Sequence, residues 1–534
     1  MIFNKKTRNL AILLIFMMVI GVLAGCTETK PTETEADNQE VDASNEAVSQ
    51  TLVLGAQNDF KSASEAASLV FDFMTAFEEN MDISSELSSA LVKSWEIKND
   101  GATYILHLQE GVKFHNGEDF NAEVAKFSIE YWGPYANANY PKYLKEIKVV
   151  DDTTLEVNFH KTFSPFLMEL GGIRATLPDT VDDKGIVVDW QGTGPFVLKD
   201  YTKDQKAVLE LNTDYWNKEK MPTLQEVVWQ AIPNENSRVM ALKSGQVDAI
   251  GLTEHHISMP YAVVGELENT SGIKVLKPTE EYLSTTETYV FNYKKGLLVD
   301  LNLRKAIVHA IDRETLTAKL LHNVPTPTGH FVLPAYIDGP KNVEEYSYNT
   351  TVAKAALEAA GYKTTNASGI VEKDGKPLQL TLLARNDQTA RDVAVYLQSN
   401  LKEVGIDVVI DSVDRSIFDE KAKSGEFDIA FTHAWTVPPV RYMQWRGLSD
   451  SYDVNGIGFK VDPKIDGLVE TVITATDKKD HDQAWEEIWE TIYNFYPGTS
   501  LFVRARVLAH KDNISGLYFH PRSQTIDLSN VVIN

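Results

Sequence analysis

Cysteine is almost missing: one residue, Cys26, in 534. This excludes any internal disulfide and any zinc or iron–sulfur site built from several thiolates. Positive charge is also short, with 51 Lys and Arg against 76 Asp and Glu and a net charge of −25. That balance repels phosphate backbones and argues against nucleic acid as a partner. There is no Gly-x-Ser-x-Gly elbow, no Gly-x4-Gly-Lys-Ser/Thr phosphate loop, no Gly-x-Gly-x-x-Gly turn and no His-Glu-x-x-His helix. Nothing argues positively for an enzyme, although acid–base chemistry can need only two carboxylates. No catalytic residue and no cofactor are expected. Hydrophobic residues are 43% and charged residues 24%, the composition of a folded, water-soluble body long enough for two or three lobes.

The N-terminus accounts for the lone cysteine. Lys5, Lys6 and Arg8 precede an uncharged stretch from Leu10 to Ala24, short for a membrane span and suited to the apolar core of a signal peptide. Leu23-Ala24-Gly25-Cys26 follows, and small residues before a cysteine resemble a bacterial-type lipobox. Residues 1–25 are therefore expected to be a lipoprotein signal peptide, with lipid on Cys26; an uncleaved anchor is the alternative. Either reading places the body outside the cell membrane and tethers it there. Removing 1–25 takes away three positive charges and no acid, so −25 becomes −28. Residues 26–50 hold seven acids, one lysine and no aromatic, which reads as a solvated, flexible acidic linker.

From Thr51 onward strand and helix signals alternate without a fixed repeat, so the class is α/β. Leu378–Ala384 reads as a strand, Thr389–Glu403 as a helix ended by Gly405, Ile406–Ile410 as a strand and Phe427–Trp435 as an alternating strand. Strands separated by helices argue for a parallel sheet. Leu303, Ala306, Ile307, Ala310 and Ile311 share one helix face, and Thr351–Ala360 is a helix with Gly361 at its end. Asn99-Asp-Gly101 is a hairpin signal, and Asn116-Gly117 a turn before a helix beginning near Asn121.

Several segments are more specific than these patterns. They are Ala90–Val124 (with Trp95, Gly101, Tyr104, Glu110, His115, Gly117 and Phe120), Gly192-Thr-Gly-Pro-Phe196, Tyr215-Trp216, Ala241–Asp248, Leu303–Arg313 and Ala353–Tyr362. In this order, across roughly residues 51 to 530, they resemble the extracytoplasmic solute-binding proteins of ABC importers, family 5, the peptide/nickel-binding group. The resemblance implies a type II periplasmic-binding-protein-like fold with two lobes, a cleft, and an extra inserted domain. It places lobe I at 51–87, 191–288 and 510–534, the insertion at 88–190 and lobe II at 289–509. Hinge crossings fall near Glu287–Asn292 and Leu508–His510. Implied partners are the permease and ATPase subunits of the importer, a small-molecule ligand and the membrane; a monomer is expected. A hydrolase or sensor on the same scaffold is the competing class.

For the ligand, peptide-binding members resemble one another in a Trp-x-Ala-Asp-Tyr stretch whose aspartate meets the peptide ammonium. The matching Trp435–Arg441 has no acid, which disfavours that mode. Closer is the nickel-chelate-binding subset, whose arginine after Phe-Leu-x-Glu-Leu matches Arg174 of Phe166–Arg174. The resemblance implies that Arg174 clasps a chelator's carboxylates, against the alternative of a structural salt bridge. It matches Trp435, Tyr140 and Phe418 to aromatic site positions. His433 shares a strand face with Phe431 and Trp435 and reads equally as a core residue. The sequence departs from the subset near Asn137, where a second arginine often stands, near Tyr452-Asp453, where a metal-contacting histidine falls, and at Pro438-Pro439, where a tyrosine is usual. Glu254-His255-His256 is a weak metal candidate, since adjacent strand residues face opposite ways; surface histidines are the simpler reading.

Overall fold

The computed structural model describes residues 50–534 except 64, 78–86, 137–139, 253–258, 278–285, 335–337, 435–461 and 519–524. Residues 1–49 with Cys26, and His255, His256 and Trp435, lie outside the described residues, as do Asn137, Pro438-Pro439 and Tyr452-Asp453; His433 is described only as part of a strand.

The body begins with strand β1 (Thr51–Ala56). It then builds β2 (Val92–Lys98), β3 (Thr103–Leu108), helix α1 (Ala122–Ala136), β4 (Leu144–Asp151), β5 (Thr154–Phe159) and the short α2 (Phe166–Leu170). Next come β6 (Phe196–Thr202), β7 (Lys206–Leu211), β8 (Glu226–Ala231), α3 (Glu235–Lys243), β9 (Ala249–Ile250) and β10 (Ile273–Leu276). The third stretch is β11 (Thr286–Phe291), α4 (Leu301–His309), β12 (Thr326–Pro327), α5 (Thr350–Ala359), β13 (Gln379–Arg385), α6 (Gln388–Glu403), β14 (Asp407–Val413), α7 (Arg415–Ser424), β15 (Ile429–Ala434), α8 (Lys464–Thr474), α9 (Lys478–Phe495) and β16 (Gly498–Val503). The chain then returns as β17 (Leu508–Lys511).

These strands form a seven-stranded sheet in the order β10-β17-β9-β1-β8-β7-β6, a six-stranded sheet β12-β16-β11-β15-β13-β14, and a four-stranded sheet β2-β3-β5-β4. The first two are the lobes. The passages between them run from Leu276 to Thr286 and from Val503 to Leu508. β13 is parallel to both β14 and β15, and β1 is parallel to both β8 and β9, while the remaining pairings are antiparallel.

Local chemistry explains the elements. In α6, Ala390, Val393, Ala394, Leu397 and Leu401 turn inward at helical spacing, and each large apolar side chain so buried contributes about 1.5–3 kcal/mol. Asp387 caps it, its Oδ1 accepting the Ala390 N–H at 2.9 Å. Gly405, at φ +93°, ends it in the left-handed region. The Asn99-Asp-Gly turn joins β2 to β3 with all three residues at positive φ. Ahead of residues 253–258, β9 is limited to Ala249–Ile250.

Two signature segments meet at Asp72. Its Oδ2 accepts from Thr193 Oγ1 (2.9 Å) and Trp216 Nε1 (2.7 Å), and its Oδ1 from Tyr215 Oη (2.9 Å). Gly192 lies so close to the Val70 backbone that a Cβ would stand 1.8 Å from the Val70 carbonyl oxygen, so only glycine fits. The signature arginines are likewise structural. Arg304 donates to the carbonyls of Leu298, Val299, Phe495 and Tyr496, and Arg313 to Ser500 O and Thr499 Oγ1.

Candidate functional site

Ligands of α/β sheets collect beyond the carboxyl ends of parallel strands. Both large sheets point such ends at one place, a cavity of about 570 Å³ between them. Gln57, just after β1, and Glu235 and Arg238 of α3 line it from one side. Arg385 at the end of β13, Asp387 and Arg391 at the start of α6, and Phe431 of β15 line it from the other. Glu287 and Arg504 close it, each beside one of the two passages between the sheets.

Glu287 and Arg504 form a buried ion pair, with Arg504 Nη2 and Nε donating to one carboxylate oxygen at 2.7 and 2.8 Å. Burial pushes the Glu287 carboxyl above its ordinary range, against the pull of Arg504. Next to it the Arg504 guanidinium lies 5.4 Å from the centre of the Phe431 ring and that of Arg385 5.3 Å from it. Burial lowers the Arg385 pKa first, and the like charges of Arg504 and Arg415 lower it further. The buried Arg385 Nε finds no hydrogen-bond partner among the described residues. Across the gap, burial and then the negative charge of Asp387 raise the Glu235 carboxyl.

The expected site residues are dispersed. Arg174 follows α2 and bridges to Phe73; its guanidinium stacks 4.1 Å from the Trp132 ring centre and 5.2 Å from that of Phe71. No carboxylate pairs with it among the described residues, and burial brings its pKa down to about 10. The salt-bridge alternative for Arg174 is thus not realised there. Tyr140, expected as an aromatic wall, is instead packed in the insertion's core. Its ring is 2% exposed and lies against Phe159, Phe163 and Phe166, directly over Gly133. Phe418 is also buried, one layer behind the cavity, where it supports Phe431 and Arg385. Of the expected residues, Arg174, Tyr140 and Phe418 do not border the inter-sheet cavity. Arg385 and Arg504 are not among the residues expected from the sequence, and Glu287 is expected there only as part of a hinge crossing. The available signal was an arginine at the end of the apolar run 378–384, directly before the Asn-Asp cap of a helix.

Two lobes with a polar cavity between their strand ends are the architecture of the two-lobed solute-binding class. Residues 86–455 match the family described as bacterial extracellular solute-binding proteins, family 5, and the chain belongs to that family. It is 25% identical to the oligopeptide-binding protein AppA of Bacillus subtilis (strain 168), over 99% of this chain and 98% of the relative. It is 23% identical to the nickel-binding periplasmic protein of Escherichia coli (strain K12), over 76% of this chain and 78% of that one. Among solved structures, NikA from Brucella suis in complex with Fe(III)-EDTA superposes with a TM-score of 0.82 at 22% identity, covering 91% of this chain and all of the other.

Proposed function

We propose that this chain is the substrate-binding lipoprotein of an ABC importer, tethered through Cys26 outside the cell membrane, that captures a small carboxylate-bearing ligand and delivers it to its permease. A chelate of nickel or another transition metal is the favoured cargo. The observation that carries this reading is Arg174. Its guanidinium lies over the Trp132 ring, 4.1 Å from the ring centre, and no carboxylate pairs with it among the described residues, which leaves its donors for a carboxylate brought by a ligand. The likeness to nickel-binding and iron-chelate-bound relatives supports the same choice. A peptide ligand is the second reading, favoured by the match to an oligopeptide-binding protein along nearly the whole chain.

Native mass spectrometry with elemental analysis of protein purified without added ligand tests the cargo, followed by calorimetry with nickel, nickel plus histidine, and short peptides. Losing one partly buried charged hydrogen-bond partner costs about 2–5 kcal/mol. Arg174→Ala is therefore expected to weaken chelate binding by roughly one and a half to three and a half decades while the protein stays folded. Tight binding of unmodified peptides, indifferent to Arg174→Ala, would restore the peptide reading. The anchor is tested apart from the cargo: mass spectrometry is expected to find diacylglycerol on Cys26 of the membrane form, and a bare thiol there would remove the lipid anchor in favour of the uncleaved one.

A further inference from the structure

Another cavity, of about 490 Å³, shares no lining residue with the one between the sheets. It lies beside the edge strand β6 of the seven-stranded sheet, where Ser88–Ala90 lead into the four-stranded one. The Tyr215-Trp216 segment and the stretch Thr525–Ser529 complete its wall. Its volume falls within the range of small-molecule sites, roughly 300–1,000 Å³. The charged groups that line it are three acids, Asp72, Glu219 and Asp527, and one lysine, Lys220.

Glu219 is exposed, whereas Asp72, Asp527 and Lys220 are half-buried. Asp72 is crowded by the chain yet keeps accessible surface, as a group on a cavity wall does. Burial works against the Asp527 carboxylate too, but the Ser529 hydroxyl and N–H, and then the charge of Lys220, hold its pKa below the ordinary range. The two carboxylates flank one side chain: after burial, it is the charges of Asp72 and then Asp527 that raise the Tyr215 pKa. Lys220 stands 3.9 Å from Asp527 Oδ2, and its charge also reaches Asp72. One ammonium set against two enclosed carboxylates leaves a negative charge uncompensated. Room for a further donor remains. Among the described residues Asp72 Oδ1 accepts a hydrogen bond only from Tyr215, and Asp527 Oδ2 only from Tyr518, at 3.0 Å, while an ionised carboxylate oxygen takes about two. Aromatic surface lies beside them in Phe71, Phe73 and Trp216. The Trp216 N–H is already given to Asp72, so what Trp216 offers a ligand is its ring, whose face attracts cations.

We infer that this cavity is a second binding site of the protein, taking a small organic ammonium whose charge meets Asp72 and Asp527 and whose apolar part lies along Trp216 and Phe73. The surplus negative charge turns anions away. A bare metal ion is a poorer match, because no three His, Cys, Asp or Glu are grouped to hold one among the described residues. The site stands apart from the cargo reading, since neither Arg174 nor any residue of the inter-sheet cavity contributes to it. A ligand seated there touches β6, the approach to the four-stranded sheet and the 525–529 stretch at once, and so stabilises the folded chain.

The test is calorimetry of the full-length protein with phenethylamine, with the neutral 2-phenylethanol and with the anion 3-phenylpropionate, repeated on Asp527→Asn. Crystals of the wild type soaked in 4-bromophenethylamine locate the bromine by anomalous scattering. Phenethylamine is expected to bind and to raise the melting temperature, the alcohol to bind more weakly and the anion not at all. Asp527→Asn, which keeps the shape and removes the charge, should weaken phenethylamine at least about tenfold, and the bromine should lie beside Trp216. No binding of phenethylamine at millimolar concentration, equal affinity for the anion, or unchanged affinity in Asp527→Asn overturns the inference. So does bromine found only between the two large sheets, an outcome that leaves the receptor reading standing. Bromine beside Trp216 without measurable heat in solution is binding at crystal concentration only and overturns it too. Should Asp527→Asn not fold, the wild type's preference for amine over anion and the place of the bromine decide.

Discussion

Beside Arg385, the buried Arg504 is paired to one acid, Glu287. Removing that acid strands the arginine. Breaking a buried ion pair from one side costs about 3–5 kcal/mol, because the remaining charge stays uncompensated, whereas replacing both partners by apolar groups is far milder. Glu287→Gln should therefore lower unfolding free energy by about 3 kcal/mol or more in urea titration, while Glu287→Met with Arg504→Met should be distinctly less harmful. Equal losses in the two variants would mean that the pair acts through packing and not through charge. Neither Glu287 nor Arg504 stands out in the sequence, because the meaning of each lies in the other, 217 residues away.

At the scale of elements, Asp72 holds together segments that look independent in sequence. Burial raises its carboxyl pKa from 3.8 to about 6, against the lowering effect of hydrogen bonds from Trp216, Tyr215 and Thr193. The folded state therefore binds this proton more tightly than the unfolded state does. Stability from the group is present below about pH 4 and is lost as pH rises through about 6, a span of at most about 3 kcal/mol. In melting curves between pH 4 and 7, the wild type should lose ground relative to Asp72→Asn as pH rises; a constant difference would contradict the shift. The elements themselves were largely legible. The helix ended by Gly405 and the parallel strands around it follow from apolar period and turn chemistry, which act over a few residues. The cavity does not, because Gln57, Glu235, Glu287, Arg385 and Arg504 are unremarkable in their own segments and converge only through sheet order. Tyr140 shows the opposite failure: aligned with a site aromatic, it is drawn into the core by three phenylalanines.

For the molecule as a whole, residues 142–164 and helix α8 meet in a polar contact. Glu470 of α8 receives the Tyr143 hydroxyl and the Lys161 ammonium, with Lys142 3.7 Å away, and the Ser164 N–H donates to the carbonyl of Ile473 at 3.0 Å. Partly exposed pairs of this kind are worth about 1 kcal/mol at most, yet that shifts a two-state equilibrium roughly fivefold. Glu470→Ala should accordingly enlarge the radius of gyration of the ligand-free protein in small-angle scattering, and added salt should do the same to the wild type. An unchanged profile would show that the contact does not govern lobe separation.

The order of strands in the seven-stranded sheet sets a timetable. β17, Leu508–Lys511, lies between β9 and β10 and is the one sheet neighbour of β10 among the described residues. It leaves the ribosome after everything from 286 to 503. The first sheet thus cannot close while the chain is being made, and pairings between residues so distant form slowly. A polypeptide whose earliest sheet waits for almost its last strand keeps that sheet open until synthesis is nearly complete, so the lobe begun first is the last to become rigid.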